Sequence, residues 1–266
     1  DRLYRAFDGI DFVVHAAATK IVPTAEYNPF EAVKTNVLGA MNVIDAAIDK
    51  GVGKVVALST DKASSPINLY GATKLASDKM FVSGNAYSGP KKTRFSVVRY
   101  GNVMGSRGSV IPFFLSLSEG APSPITHLSM TRFMITLDEG VDLVTEAFRE
   151  MAGGEVFVKK LPSMKVVDIA RALRPMEEIL EVGIRPGEKI HEQMIGMEDA
   201  PLTLDCGDYF KILPSINSWV GHDELASGGS PVDPDFSYVS EINSHWMAKE
   251  YLTKWVEENR DSFIEI

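Results

Sequence analysis

A tyrosine and a lysine four positions apart, Tyr70 and Lys74, offer the clearest chemistry in this chain. On a helix, that spacing places the two side chains one turn apart on the same face. A lysine ammonium held there lowers the pKa of the tyrosine from its usual value of about 10. The resulting tyrosinate can take the proton of an alcohol, which makes Tyr70 a candidate general base.

The same spacing occurs again at Tyr87 and Lys91, and the two pairs differ in what lies between them. Gly89-Pro90 lies inside the second pair and breaks a helix, which removes the one-turn geometry. The first pair lies in the uninterrupted segment Tyr-Gly-Ala-Thr-Lys, which follows an apolar run that ends in Ser59-Thr60. The first pair is therefore the better candidate for catalysis.

Alternating apolar and amphipathic segments predict how these residues are positioned. Short apolar runs at residues 10–15, 54–59 and 94–100 are typical of buried parallel strands. Between them, residues 30–50 carry apolar positions at spacings of three and four, and residues 69–87 are predicted as a second helix. This order of strands and helices predicts right-handed crossovers and an α/β fold with a doubly wound, Rossmann-like parallel sheet.

After Gly101, the regular alternation gives way to short segments separated by loops rich in Pro, Gly and Ser. We expect residues 1–105 to belong to the parallel-sheet domain. Residues 106–266 are expected to form mainly a smaller, loop-rich substrate lobe, with some elements returning to the first domain. The elements predicted in this half are helices at 110–117 and 137–151, a strand at 155–158, an exposed loop at 227–231 and a closing helix at 244–258.

Composition excludes several classes of protein. Of the 266 residues, 45% are hydrophobic and 24% are charged, which is typical of globular rather than disordered proteins. The net charge of −9 argues against a nucleic-acid surface, and no run of about 18 apolar residues predicts a membrane span. A single cysteine, Cys206, and no signal-peptide pattern favour a cytoplasmic location. The histidines lack metal-ligand spacing, so no metal site is expected.

Taken together, these motifs resemble the extended short-chain dehydrogenase/reductase family. Ser59-Thr60, Tyr70 and Lys74 match the family's Ser/Thr–Tyr–Lys set in order and spacing. The strand that ends in His15-Ala16-Ala17-Ala18 is similar to the family's fourth strand, and Asn36 matches its structural asparagine. The resemblance implies a Rossmann sheet that binds NADP, with NAD not excluded.

Within that family, the segment Thr60-Asp61-Lys62 indicates which group of enzymes the chain resembles. Sugar-nucleotide dehydratases that retain the C5 configuration carry Thr-Asp-Glu, whereas Thr-Asp-Lys is similar to the configuration-inverting UDP-N-acetylglucosamine 4,6-dehydratases. Tyr70 resembles their short soluble branch, which opens pseudaminic acid synthesis, because the large membrane-bound members carry methionine there. Further segments similar to this group are residues 20–23, 99–103, 106–110, 130–133 and 183–189.

The resemblance implies a role for each residue of the motif. Tyr70 removes the C4 hydroxyl proton of the UDP-sugar while hydride goes to the nicotinamide, and Lys74 stabilises the tyrosinate and holds the ribose. Thr60 belongs to the same catalytic set. Lys62 is the base that removes the C5 proton, and Asp61 is the acid that protonates the departing C6 hydroxyl. The implied product is UDP-2-acetamido-2,6-dideoxy-β-L-arabino-hexos-4-ulose. Two alternatives stay open, namely a UDP-sugar 4-epimerase, which has no use for Asp61-Lys62, and a catalytically incompetent fragment with a sensing or scaffold role.

The same resemblance implies binding residues. The Arg185 guanidinium offers a bidentate contact to the UDP phosphates, and Glu188 can accept from a ribose hydroxyl. The substrate set is Lys20, Ser59, Thr60, Asn102, Thr126, Arg132, Arg185 and Glu188. The cofactor set is Ala16, Ala17, Ser59, Tyr70, Lys74, Val103, Ser106 and Arg107. A homo-oligomer is also expected, because family members associate through helices equivalent to residues 30–50 and 69–87.

The chain departs from the family pattern at its start. The family's glycine-rich phosphate loop, Gly-x-Gly-x-x-Gly, does not occur before the first predicted strand. We therefore expect roughly 60 to 75 further residues, folded as β-α-β-α-β, to precede Asp1 in the natural protein.

Overall fold

The chain folds into two compact units, each assembled from separate stretches of sequence. The computed structural model describes residues 1–260. Unit 1 comprises Asp1–Tyr100, Val141–Lys160 and Gln193–Ser237. Unit 2 comprises Gly101–Gly140, Leu161–Glu192 and the residues from Tyr238 onward. The chain thus returns to unit 1 twice after first leaving it.

Short helices and strands alternate along most of the chain. The α-helices are α1 (Arg2–Ala6), α2 (Val22–Tyr27), α3 (Pro29–Val33), α4 (Gly39–Lys50), α5 (Leu69–Tyr87), α6 (Val110–Ser116), α7 (Leu137–Glu150), α8 (Val166–Leu173), α9 (His222–Leu225) and α10 (Lys249–Glu258). The strands are β1 (Phe12–His15), β2 (Lys54–Thr60), β3 (Arg94–Tyr100), β4 (Asn102–Val103), β5 (Ser123–Ile125), β6 (Thr131–Ile135), β7 (Val156–Lys159), β8 (Ser163–Lys165), β9 (Ile179–Glu181), β10 (Gln193–Ile195), β11 (Thr203–Asp205), β12 (Tyr209–Ile212), β13 (Ser230–Pro231) and β14 (Tyr238–Val239).

A seven-stranded sheet forms the centre of unit 1, in the order β1-β2-β3-β7-β12-β11-β13. The first four strands run parallel, and the last three extend the sheet through antiparallel pairs. β1, β2 and β3 are the strands predicted at 10–15, 54–59 and 94–100. Their parallel pairing confirms the predicted α/β fold, and the antiparallel extension is an additional feature of this sheet.

Helices cover both faces of the parallel strands. Side chains alternate between the two faces along each strand, so one strand contacts both helical layers. On one face, Phe95 of β3 lies against Phe81 of α5, with ring centroids 6.1 Å apart. On the other face, Val98 of the same strand belongs to a buried cluster with Leu143 and Ala147 of α7. The sheet is therefore wound on both sides, and α5 has the predicted bounds, 69–87.

The helix predicted at 30–50 is continuous in the structure but changes its winding. It comprises α3, a π-helical turn at Lys34–Leu38, and α4. Gly51 ends α4 with a φ of 71°, a left-handed conformation that glycine adopts without steric cost. The apolar periodicity does not reveal the π turn, which contains Asn36.

Two predictions for the second half need correction. The predicted exposed loop at 227–231 is partly a strand, because Ser230 and Pro231 pair with Asp205 and Leu204. The closing helix begins at Lys249 rather than at residue 244. The preceding residues are extended beside β8, since the Ser163 amide donates to the His245 carbonyl at 2.8 Å, and the Met247 amide donates to Ser163 at 2.9 Å.

Unit 2 has its own core and two small sheets, β4-β6-β8 and β5-β9. Its buried cluster draws on α6, α8, α10 and the strands, and includes Ile111, Phe114, Met134, Met164, Ile169 and Leu252. Within residues 1–260, no helix is both long and apolar enough to cross a membrane.

Candidate active site

The parallel strands bring the chain segments that follow them to one edge of the sheet in unit 1. The pairing joins His15 with Ala57 and Thr60 with Tyr100, so β1, β2 and β3 end near one another. Ligands of open α/β sheets bind outside the carboxyl ends of the strands. In this structure, β2 ends directly in the segment Thr60-Asp61-Lys62, which turns as a short 3₁₀ helix, Asp61–Ala63.

Hydrogen bonds and close packing hold this turn against the first turn of α5. The Thr60 hydroxyl accepts from the Lys62 amide at 3.3 Å, and the Asn68 side chain caps α5 by accepting from the Gly71 amide at 2.8 Å. A Cβ added at Gly71 would overlap the Lys62 carbonyl group, and it would lie 3.1 Å from the Pro66 side chain. Glycine at this position therefore lets the Asp61-Lys62 turn approach the helix that carries Tyr70.

We expect Gly71→Ala to displace the Asp61-Lys62 turn and to lower the free energy of unfolding by about 1–3 kcal/mol, as overpacking does. Gly140→Ala is the matched control, because an added Cβ there meets nothing within 4 Å, and alanine favours a helix by roughly 1 kcal/mol over glycine. Urea unfolding of both variants compares the two glycines. Equal stability of Gly71→Ala and the wild type would contradict this packing argument.

Tyr70 lies at the start of α5 with its side chain buried, 8% exposed. Its hydroxyl faces the Thr60 side chain. Burial raises the pKa of Tyr70 to about 12. The charge of Lys62 and the Thr60 side chain lower it, whereas the charges of Asp61 and Asp78 raise it. Within this set, Lys62 is the cation that acts most strongly on the phenol.

Asp61 and Lys62 form an ion pair beside that phenol. The Lys62 Nζ lies 3.1 Å from Asp61 Oδ1, which also accepts from the Thr60 hydroxyl at 2.9 Å. The other carboxyl oxygen, Asp61 Oδ2, is buried without a hydrogen-bond partner in the described part of the chain. The Lys62 side chain is 24% exposed, against 1% for Asp61. The turn therefore holds a base candidate that solvent reaches and an acid candidate that is buried.

Lys74 lies one turn after Tyr70 and points toward the strand end. It is 3% exposed, and its ammonium donates to the Leu58 carbonyl at 2.7 Å. Burial lowers the pKa of Lys74, and the charge of Asp78 partly offsets this effect. By contrast, α5 ends at Tyr87, and Lys91 lies beyond it, so the second pair does not share a helical turn.

Ser59 belongs to a buried polar cluster that the sequence argument did not include. Its hydroxyl donates to Asp78 Oδ2 at 2.6 Å, and Arg99 Nη2 lies 3.5 Å from the same oxygen. Asp78 lies four residues after Lys74 on α5, so the same spacing that identified Tyr70 and Lys74 also points to Asp78. Ser59 is 5% exposed and gives its hydroxyl proton to Asp78, whereas the neighbouring Thr60 gives its hydroxyl proton to Asp61.

Asn36 links the loop after β1 to α5. Its side-chain oxygen accepts from the Thr19 amide at 2.8 Å, and its nitrogen donates to the Thr19 carbonyl and to the Thr73 hydroxyl, each at 3.0 Å. The Thr73 hydroxyl in turn donates to the Tyr70 carbonyl at 2.9 Å. Asn36 thus supports the backbone of the helix that carries Tyr70, as expected of a structural asparagine.

The other candidates in unit 1 lie on the segment that follows β1. Ala16 and Ala17 come directly after the strand and are exposed, and Lys20 is exposed farther along the same loop. A small, exposed side chain at this position suits the approach of a dinucleotide to the end of the strand.

Unit 2 contains the remaining candidates, and two of them are bonded to each other. The Arg185 guanidinium donates to the Glu188 carboxylate. Burial raises the pKa of Glu188, but the hydrogen bond and charge of Arg185, together with the charge of Arg132, lower it overall. The Arg185 side chain is 68% exposed, so it can also contact a bound anion.

Arg132 has a different environment from the one expected of a substrate ligand. It is 8% exposed, and its guanidinium donates to the carbonyls of Ile190 and Lys189, each at 3.0 Å. These bonds support the segment directly after Glu188, which indicates a structural contribution. The remaining candidates are Asn102 and Val103 on β4, Ser106 and Arg107 in the following turn, and Thr126 after β5.

No cluster of three or more His, Cys, Asp or Glu side chains suited to a metal ion occurs in the part of the chain that the structure describes.

Comparison with known proteins places the chain in a family. Residues 1–214 match the family described as "Polysaccharide biosynthesis protein". The chain is 53% identical to the inverting UDP-N-acetylglucosamine 4,6-dehydratase of Campylobacter jejuni subsp. jejuni serotype O:2, over 95% of this chain and 78% of that protein. It is 44% identical to the UDP-glucose 4-epimerase of Rickettsia canadensis, over 78% of this chain and 62% of that protein.

Solved structures show the same fold. Pen from Bacillus thuringiensis has a TM-score of 0.87 and 37% identity, over 98% of this chain and 79% of that one. DesIV, a dTDP-glucose 4,6-dehydratase from Streptomyces venezuelae, shares the fold with a TM-score of 0.66 and 21% identity, over 98% of this chain and 77% of that one. The chain therefore belongs to this family of polysaccharide biosynthesis proteins, a branch of the extended short-chain dehydrogenase/reductases that includes the inverting UDP-N-acetylglucosamine 4,6-dehydratases.

Proposed function

We propose that this protein removes water across C5 and C6 of UDP-N-acetylglucosamine through a 4-keto intermediate, with inversion at C5. The observation that carries the proposal is the Asp61-Lys62 ion pair, held at 3.1 Å in a turn whose Thr60 side chain faces the Tyr70 hydroxyl. One set of side chains thus combines a base for an alcohol with an acid and a base for elimination. The product is UDP-2-acetamido-2,6-dideoxy-β-L-arabino-hexos-4-ulose.

A nicotinamide cofactor fits the edge of the sheet in unit 1. The exposed Ala16 and Ala17 leave space beside the end of β1, and Lys74 and Tyr70 lie at the same edge. NADP is the cofactor we propose, with Ser59, Val103, Ser106 and Arg107 as further candidates for its contacts. When bound, it supplies the acceptor for the C4 hydride and the donor for C6.

Tyr70 performs the first proton transfer. Its phenolate takes the proton of the C4 hydroxyl as the alcohol at C4 loses hydride and is oxidised to a ketone. The charge of Lys62 and the neighbouring Thr60 side chain favour the phenolate. Lys74, one turn away on the same helix, is proposed to add to this support. Since burial raises the pKa of Tyr70 to about 12, this support is needed for the phenolate to form near neutral pH.

Lys62 and Asp61 perform the elimination. Lys62 first passes its ammonium proton to Asp61 across their ion pair, which leaves a neutral amine and a protonated carboxyl. The C4 ketone acidifies the C5 hydrogen, and the amine of Lys62 removes it as a proton. Asp61 gives a proton to the C6 hydroxyl, which leaves as water, and the C5–C6 double bond forms. After C6 has been reduced, Lys62 returns a proton to C5 from the opposite face. A lysine differs in reach from a glutamate at this position, which supports inversion rather than retention.

The substrate and cellular setting complete the proposal. Arg185 and Glu188 are proposed to contact the diphosphate and a ribose hydroxyl, with Lys20, Ser59, Thr60, Asn102 and Thr126 as further substrate residues. Arg132 is proposed to act indirectly, by holding the segment after Glu188. Residues 1–105 would then serve mainly the cofactor and residues 106–266 mainly the UDP-sugar. We propose that the protein is cytoplasmic and acts as a homo-oligomer, without nucleic-acid or membrane partners.

Incubation of the cofactor-loaded enzyme with UDP-N-acetylglucosamine in heavy water tests the reaction. We expect a product that has lost one water, with deuterium at C5 and the inverted ring configuration in the NMR coupling constants. A 4-epimerase, the activity named for the Rickettsia relative, would give a product of unchanged mass without deuterium at C5. Retained configuration at C5 would refute the inverting assignment, and no turnover by the loaded protein would favour the incompetent alternative.

A further inference from the structure

The segment at residues 185–192, which carries the Arg185–Glu188 pair, lies beside β6 in unit 2. The Thr131 amide of β6 donates to the Ile190 carbonyl at 3.0 Å. The guanidinium of the next residue on β6 donates to the same carbonyl, also at 3.0 Å. The position of the Arg185–Glu188 pair therefore depends on how firmly the 185–192 segment is fastened to this strand.

A chain of side-chain hydroxyls fastens the segment at a second point. The Glu192 amide donates to the Ser240 hydroxyl oxygen at 2.9 Å, and the Ser240 amide donates to the Glu192 carbonyl at 2.8 Å. The Ser240 hydroxyl lies 2.7 Å from the Thr131 hydroxyl, which lies 2.8 Å from Nδ1 of His191. Ser240 and Thr131 are buried, so their hydroxyls depend on these partners for hydrogen bonds.

The second nitrogen of the His191 ring faces a carboxylate. His191 Nε2 lies 3.6 Å from Oε1 of Glu241. An N–H at Nε2 is attracted to that carboxylate, whereas a bare Nε2 would turn its lone pair toward it. Glu241 thus favours the form of the ring that carries its proton on Nε2, and in the neutral ring Nδ1 is then an acceptor.

Each hydroxyl has one proton, which limits how the chain can be filled. With Nδ1 as an acceptor, Ser240 donates to Thr131, and Thr131 donates to His191. With a proton on Nδ1, both hydroxyls must reverse, and the Ser240 proton is left with the Thr131 carbonyl at 3.4 Å. That carbonyl already accepts from Arg132 at 2.7 Å. The acceptor form of Nδ1 therefore gives Ser240 the shorter of its two bonds.

We propose that His191 is a positioning residue for the Arg185–Glu188 pair. On this proposal, its ring carries the N–H at Nε2, and its bare Nδ1 ends the chain of hydroxyls that starts at the amide of residue 192. The chain fixes the 185–192 segment on β6 and so holds the pair in place for a diphosphate. This last step rests on the proposed function, whereas the ring form and the chain are properties of the protein alone.

NMR of ¹⁵N-labelled protein reads the direction of the chain at mildly alkaline pH, where histidine rings carry a single N–H. We expect a scalar coupling between the Thr131 hydroxyl proton and His191 Nδ1, because such a coupling passes through the hydrogen bond. His191 Nε2 should show the large one-bond coupling of a nitrogen that carries its own proton. A one-bond coupling at Nδ1 would overturn the proposal, whether or not any variant folds.

Two amide variants test the positioning. Glutamine places its side-chain amide near the position of Nε2 and leaves the Thr131 hydroxyl without its acceptor, whereas the shorter asparagine places an oxygen near the position of Nδ1. In His191→Gln, we expect hydrogen exchange of the Glu192 and Thr131 amides to become roughly tenfold faster, as loss of one buried hydrogen bond predicts. His191→Asn should restore slow exchange. Unchanged exchange in His191→Gln would refute the role of the chain.

His127→Gln is the matched control. The His127 Nδ1 also lies 2.8 Å from a hydroxyl, that of Ser129, but the two residues are only two positions apart on an exposed stretch of chain. This variant should leave the exchange of the two amides unchanged, and faster exchange in it equal to that of His191→Gln would contradict the proposal. If His191→Gln does not fold, Thr131→Val removes the same bond from the hydroxyl side, and Thr131→Ser should restore slow exchange of the Glu192 amide.

Calorimetric titration with UDP tests the link to the diphosphate. In His191→Gln, the Kd for UDP should rise by roughly tenfold and return toward the wild-type value in His191→Asn. The KM for the UDP-sugar should rise with it while kcat changes little, as loss of a binding contact predicts. Faster amide exchange with an unchanged Kd would refute the positioning role. Wild-type protein that shows the expected couplings but does not bind UDP would instead refute the proposed function and leave His191 as the residue that fixes the 185–192 segment.

Discussion

Tyr70→Phe is expected to abolish oxidation at C4 while leaving the fold intact. The substitution removes one hydroxyl and retains the ring, so the packing of Tyr70 with the buried Ala25 and Ala32 persists. Loss of a general base typically lowers the rate by about 10²–10⁴-fold, and here both later steps depend on the ketone that Tyr70 generates. Single-turnover measurement of nicotinamide reduction reports the oxidation step alone, and circular dichroism checks the fold.

Tyr87→Phe is the matched control for this prediction. Tyr87 is the last residue of the same helix, carries a lysine four positions later and is 78% exposed. The Tyr87→Phe variant should oxidise substrate at nearly the wild-type rate. Equal loss of activity in both variants, or in neither, would show that the choice of the first Tyr–Lys pair is wrong.

Much of the framework of this site can be predicted from sequence, because strand and helix patterns are local. The apolar run at 94–100 and the helix at 69–87 have the predicted bounds, since Arg94–Tyr100 is buried between two helical layers and Asn68 provides a side-chain cap. The start of the closing helix, Lys249, is not evident from the sequence. Residues 245–247 pair with Ser163, a contact that is distant in sequence and leaves no periodic signal.

The site shows the same division between local and distant contacts. The Tyr70–Lys74 spacing identifies two side chains on one helical turn, and Asp61-Lys62 is adjacent in sequence. The cation with the largest effect on the Tyr70 hydroxyl, however, is Lys62 rather than a residue of its own helix. That proximity follows from Gly71, which lets the turn approach α5, and it depends on tertiary packing that spacing does not encode.

The partners of Ser59 could not be assigned from sequence either. A serine at a strand end suggests a substrate contact, yet in the fold its proton goes to Asp78. The sequence does contain one signal for Asp78, because an acidic residue on the buried side of a helix is unusual. Arg99, on the next strand, becomes its partner only through the parallel pairing of β2 with β3.

Lys62→Ala is expected to separate oxidation from elimination. Without the amine, no base removes the C5 proton, so loss of water should fall by roughly the 10²–10⁴-fold typical of a deleted general base. Oxidation at C4 should persist, but at higher pH, because Lys62 lowers the pKa of Tyr70 and its removal raises that pKa further. Stopped-flow absorbance should then show reduced nicotinamide that accumulates as pH rises, while mass spectrometry shows little dehydrated product at any pH.

Lys91→Ala is the control lysine, since Lys91 is 45% exposed and pairs with Asp49 at the surface. It should eliminate water like the wild type. Lys62→Glu is the sharper variant, because it places the carboxylate of the retaining enzymes on a shorter arm beside Asp61. We expect partial recovery of elimination, with deuterium from heavy water delivered to C5 from the original face. If Lys62→Ala turned over like the wild type at every pH, Lys62 would be a solvated loop lysine, and the dehydratase proposal would lose its main chemical support.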